Sequence, residues 1–164
     1  MEFLRESGET PPQLSPAEKS EPNDDARAGK FALDVEFKSP NYAQLMRGKL
    51  MVFKPAIVSR RSSVFLTEAK RKNPVVLDSE AYDETVRIKL PEGFDVDEMP
   101  DALEVNQPFG NYAAKCEVKE GVLIFRRSLA LRAGTIPVEN YASVRSFFER
   151  IRSVEQTPVV LVKK

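Results

Sequence analysis

One cysteine, Cys116, and twenty-five acidic side chains are the groups in this 164-residue chain that could do chemistry, and no histidine accompanies them. Histidine titrates near neutrality and is the commonest general base and metal ligand. Without it, neither a Ser-His-Asp nor a Cys-His site can be assembled inside the chain. Ordinary zinc sites, which rely on histidine or on several cysteines, are excluded with them. A lone cysteine in a strand-like stretch reads as a small core hydrophobe rather than a nucleophile, because nothing beyond nearby lysines would lower its pKa. A hydrolase built on two carboxylates would need two acids converging with opposed pKa shifts, and the spacing of the acids singles out no pair. No catalytic residue, cofactor site or metal site is therefore assigned. The candidates for ligand or partner contact are Phe109, Asn111 and Tyr112, in and beside a tight turn whose aromatic rings could alternatively plug one end of the fold.

The elements that must position these residues are mostly strands. Phe31, Leu33, Val35 and Phe37 alternate with polar neighbours, the period-two signature of a half-buried strand. Tyr42 to Met46 and Leu50 to Phe53 continue in extended fashion around an Arg47-Gly48-Lys49 turn. After a charge-rich stretch from Arg60 to Asn73, Pro74 to Leu77 forms a short apolar run. Tyr82, Val86, Ile88 and Leu90 define one buried face that Glu84 interrupts. Pro91-Glu92-Gly93 and Pro108-Phe109-Gly110-Asn111 are turns on proline and glycine chemistry. Short strands cover Phe94 to Val96 and Ala102 to Val105. Tyr112 to Val118 and Val122 to Leu131 read as a β-hairpin closed at Lys119-Glu120-Gly121. Tyr141, Val144, Phe148 and Ile151 recur at helical spacing, preceded by Pro137 where a first helical turn tolerates proline. Pro158 ends that helix, and Val159 to Val162 supplies a last strand. The expected fold class is mostly β: a β-sandwich, immunoglobulin-like, of about seven to nine strands with one C-terminal helix. Residues 30–164 are expected to form it. Residues 1–29, acidic and rich in proline, cannot bury enough apolar surface to offset the entropy of ordering them and read as a disordered tail or linker.

Charge narrows the partners. Lysine plus arginine and aspartate plus glutamate each total 25, so the formal net charge is zero. Nucleic-acid binders normally carry a basic excess, and the clusters Arg60–Arg61 and Lys70–Arg71–Lys72 read as solvated loop charges instead. No apolar run reaches the length of a membrane span. The first thirty residues lack the apolar centre of a signal peptide. The compartment is expected to be cytoplasmic if Met1 is the natural start, and periplasmic or exported if the chain is a piece of a longer precursor.

Several phrases resemble a known family. They are Phe37-Lys38-Ser39-Pro40-Asn41-Tyr42-Ala43-Gln44-Leu45-Met46, Leu90-Pro91-Glu92-Gly93-Phe94 with Met99-Pro100, Pro108-Phe109-Gly110-Asn111-Tyr112, Ile136-Pro137-Val138-Glu139-Asn140-Tyr141 and Pro158-Val159-Val160-Leu161. In that order they resemble the C-terminal β domain of unknown function that follows a transglutaminase-like core in large bacterial proteins. The resemblance spans about Phe31 to Lys164. It implies a papain-like core with a Cys-His-Asp triad elsewhere in the architecture, and that triad cannot be carried over to a chain without histidine. The function it implies is a non-catalytic accessory or structural domain, packing on such a core in cis or trans or positioning its substrate. The alternative from the residues is a stand-alone peptide- or glycan-binding β-sandwich module. Against a glycan, the chain has no tryptophan and only four tyrosines.

Overall fold

A computed structural model describes residues 19–25, 30–39, 42–58, 66 and 68–164. Two compact units divide between Gln44 and Leu45.

In the first unit, β1 (Lys19–Asp25) and β2 (Lys30–Glu36) pair antiparallel, with Lys19 opposite Glu36 and Asp25 opposite Lys30. Among the described residues, strand structure is present from Lys19, within the 1–29 segment, because the extended run of β2 offers β1 a main-chain ladder. Residues 1–18 and 26–29 lie outside the described residues. The alternation in β2 is present, but Phe31, Leu33 and Val35 are 66%, 51% and 46% exposed. A two-stranded ribbon has no second layer of its own to cover an apolar face, so the period-two signal located the strand without securing its burial.

The second unit carries the core. One sheet has the strand order β6–β10–β9–β8, formed by β6 (Glu80–Lys89), β8 (Leu103–Gln107), β9 (Gly110–Lys119) and β10 (Val122–Leu131). A second has the order β3–β4–β12–β7, from β3 (Gln44–Met46), β4 (Leu50–Phe53), β7 (Phe94–Glu98) and β12 (Val159–Lys163). A small pair joins β5 (Val75–Leu77) to β11 (Gly134–Ile136). The fold is mostly β, with antiparallel sheets and one C-terminal helix, α1 (Tyr141–Gln156). The described residues hold twelve strands rather than seven to nine. Among the additional ones are β1 and the three-residue β11, which sequence alone presents as a tail and as a lead-in to the helix.

The long hairpin of β9 and β10 closes through Glu120 and Gly121, both with positive φ (+50° and +74°). Two such residues make the tight turn whose twist matches the strands on either side. On its inner face lie Tyr112, Ala114 and Cys116 from β9 and Leu123, Phe125, Leu129 and Leu131 from β10, all buried. Burying each large side chain of this kind stabilises by about 1.5–3 kcal/mol before the entropy of ordering is counted. Helix α1 buries Tyr141, Val144, Phe147, Phe148, Ile151 and Val154 along one stripe. It ends where the backbone N–H and the hydroxyl of Thr157 both donate to the Ser153 carbonyl, at 3.1 and 2.9 Å, and Pro158 cannot extend it. The chain then enters β12, whose Val159 and Leu161 are fully buried between β4 and β7.

Gly110, opposite Leu131 in the ladder, is a point of close approach. A Cβ there would come to 2.6 Å from Leu131 Cδ2 and 3.0 Å from the Ala130 carbonyl oxygen. The leucine tip can rotate away, but the carbonyl cannot. Gly110→Ala is therefore expected to cost about 1–3 kcal/mol of stability, the range for overpacking, read as a lower denaturation midpoint with an unchanged m-value.

Candidate functional site

The three contact candidates belong to one hairpin but not to one surface. Gln107 pairs with Gly110, so β8 and β9 are joined by Pro108 and Phe109 alone. The Phe109 ring turns inward and meets Phe147 of α1 edge-on, centroids 5.4 Å apart at 77°. Tyr112 lies on the buried face of β9, only 1% exposed. Asn111, between them in the strand, is exposed, since successive side chains of a strand point to opposite faces. Two of the three are thus core residues whose rings fill the end of the sheet, and Asn111 stands apart from both.

Beside Phe109 an open cleft of about 440 Å³ runs between three chain segments. Gln107, Pro108 and Phe109 form one wall. Arg132, Ala133 and Gly134, where β10 passes into β11, form another. Asn140 and Ser143, at the start of α1, complete it together with Ile136. The two hairpin segments are locked together: the Arg132 backbone N–H donates to the Phe109 carbonyl at 2.9 Å, and Arg132 Nη1 donates to the Pro108 carbonyl at 3.1 Å.

On the sheet's inner face lies a group that sequence reasoning missed. Arg127 of β10 is 3% exposed, flanked by Phe125 and Leu129 on the same face. Its Nη2 donates to Glu84 Oε2 of β6 at 3.0 Å and to the Val58 carbonyl. Its Nη1 lies 2.7 Å from Glu155 Oε1 of α1, close enough for charge pairing but not aligned as a hydrogen bond, and Nε finds no acceptor among the described residues. The Tyr112 hydroxyl donates to the same Glu155 oxygen at 3.1 Å, and the guanidinium carbon sits 5.7 Å from the centre of the Tyr82 ring. Burial, together with the neighbouring Glu155 charge and the bond to it, pushes the Tyr112 phenol far above its ordinary value. Burial works against the Arg127 charge, but the bond to Glu84 and the charges of Glu155 and Glu84 outweigh it, and its pKa is raised. The network ties β6, β9 and β10 to the last turn of α1. A signal existed in the sequence: Glu84 interrupts the apolar face of β6 and Arg127 occupies the inward phase of β10, and the register sets them directly opposite.

Cys116 is buried on the inner face of β9, opposite Phe125. Burial pushes its thiol above the ordinary value, with a backbone hydrogen bond at Glu117 working the other way. Among the described residues no three acids or cysteines cluster as metal ligands, and no helix is long and apolar enough to cross a membrane.

A family model described as "Domain of Unknown Function with solved-structure structure (DUF3858)" matches residues 49–161. The chain belongs to this family. The DUF3858 match runs from the turn between β3 and β4 into β12, so it includes the cleft, the Arg127 network and Cys116, whereas the β1–β2 ribbon precedes it. Among solved structures, the fold is similar to a crystal structure described as a "putative protease" from Parabacteroides distasonis, with a TM-score of 0.59 and 14% identity. That similarity covers 72% of this chain and 24% of the other, so the DUF3858 chain corresponds to about a quarter of the larger protein. At this identity the likeness is one of fold. A comparison with curated proteins finds no match.

Proposed function

We propose that this DUF3858 chain is a non-catalytic accessory module that works beside a transglutaminase-like, papain-like core, in cis or trans, packing on it or positioning its substrate. The observation that carries this reading is the setting of the only thiol. Cys116 is buried among core side chains with its pKa raised, in a chain without histidine, which is the reverse of an activated nucleophile. The ordered phrases shared with the domain that follows such cores support the association. So does a fold similar to about a quarter of a longer bacterial protein described as a "putative protease". Two four-stranded sheets, each with a buried row of side chains, support an immunoglobulin-like sandwich as the scaffold.

The purified chain is expected to leave peptide amides and glutamine-containing peptides unchanged. Its thiol should react slowly with Ellman's reagent when folded and at the free-thiol rate in denaturant. Turnover that disappears in Cys116→Ala would overturn the proposal, as would fast thiol labelling of the folded chain.

A further inference from the structure

The accessory reading makes no use of the cleft beside Phe109. We propose that this cleft binds a free carboxylate carried on an apolar residue, the C-terminus of a short peptide, with Arg132 as its anchor. The cleft lies open at the surface, with Arg132, Asn140 and Ser143 exposed and Phe109 buried at its wall, and its volume of about 440 Å³ suits one or two residues of a peptide rather than a folded surface.

The lining is asymmetric in charge: it contains Arg132 and no acidic residue. Arg132 is also pre-positioned. Its Nη1 is tethered to the Pro108 carbonyl, its backbone N–H to that of Phe109, and among the described residues no carboxylate pairs with it. One edge of a tethered guanidinium, Nη2 with Nε, is thereby left to meet an anion, and its planar fork matches the two oxygens of a carboxylate. Anchoring in advance removes part of the side-chain entropy that a free surface arginine would lose on binding.

The rest of the wall selects among anions. Pro108, Phe109 and Ile136 give an apolar surface for a side chain, and Gln107 and Asn140 supply paired donor and acceptor groups suited to the adjoining peptide bond. The Asn140 side chain makes no capping bond to α1, so it is not committed to the helix it precedes. A single cation fits one negative charge. A phosphate dianion is ordinarily held by more than one cation or by a backbone nest, and the cleft has one arginine.

The test is a titration of the full ¹⁵N-labelled chain with N-acetyl-Ala-Leu as the free acid, as its C-terminal amide, and with inorganic phosphate. Saturable shifts of the Phe109, Arg132, Gly134 and Ser143 amides are expected with the free acid, with affinity at least tenfold weaker for the amide and for phosphate. Arg132→Gln, with an otherwise unchanged spectrum, should weaken the free acid by roughly ten- to a hundredfold, the loss of a hydrogen bond to a charged group. Arg132→Lys, which keeps the cation but not the planar fork, provides a second variant if Arg132→Gln disturbs the turn. In it the free acid must keep its advantage over the amide. Equal binding of acid and amide, equal binding of phosphate, or no shift with the free acid at millimolar concentration would each overturn the proposal.

Discussion

Replacing Arg127 by methionine is expected to destabilise the chain by about 3 kcal/mol, the lower end of the range for removing one member of a buried ion pair. The lower end applies because Glu84 and Glu155 keep 12% and 18% of their side-chain exposure and retain some hydration. The cost arises from what remains: two carboxylates facing one another across a space shaped for a cation, one of them also holding the Tyr112 hydroxyl. A loss of that size corresponds to a fall in Tm of roughly 10 °C for a domain of this length. Chemical denaturation with circular dichroism would measure it. The companion variant, Arg127→Met with Glu84→Leu, Glu155→Leu and Tyr112→Phe, should recover most of the loss, because an apolar replacement of a whole buried network is often neutral. A single substitution that costs under about 1 kcal/mol would show that the network contributes little to stability.

Phe147→Ala is expected to cost about 3–5 kcal/mol, the range for truncating a buried phenylalanine. Phe147 is 1% exposed and lies edge-on to both Phe109 (5.4 Å) and Phe148 (5.2 Å), so truncation opens a cavity and removes two aromatic contacts at once. Because Phe109 also forms a wall of the cleft, this variant should loosen that wall as well as the helix. A double-mutant cycle with Phe109→Ala should return a coupling of about 0.5–1.5 kcal/mol. Purely additive losses would show that the two rings do not depend on each other.

Much of the architecture was legible from local chemistry. The β9–β10 hairpin follows from alternation on both sides of a Glu-Gly turn, and α1 from the spacing of Tyr141, Val144, Phe148 and Ile151. The helix stop follows from Pro158. Phe147 and Val154 widen the buried stripe beyond that spacing, because a helix lodged in a core buries a broader arc than its most regular positions mark. The site was less legible. Phe109, Asn111 and Tyr112 are close in sequence, yet strand alternation and the turn send them to different surroundings. Arg132 and Asn140, which line the cleft with Phe109, belong to segments that only the closed fold places side by side.

The residue types by themselves determined that this chain supplies no histidine of its own and that extended structure would dominate. They did so because composition bounds the available protons and because side-chain period is a property of the strand or helix itself. Tertiary structure alone decided which charges are buried and which apolar rows are covered. Alternation puts Arg127 in the inward phase of β10, but it becomes a central core residue only because the register sets Glu84 against it and α1 brings Glu155 over it. Phe31, Leu33 and Val35 carry a core-like pattern and yet stand exposed on their ribbon. Burial depends on a second surface arriving from elsewhere in the chain, and alternation along one strand carries no information about that arrival.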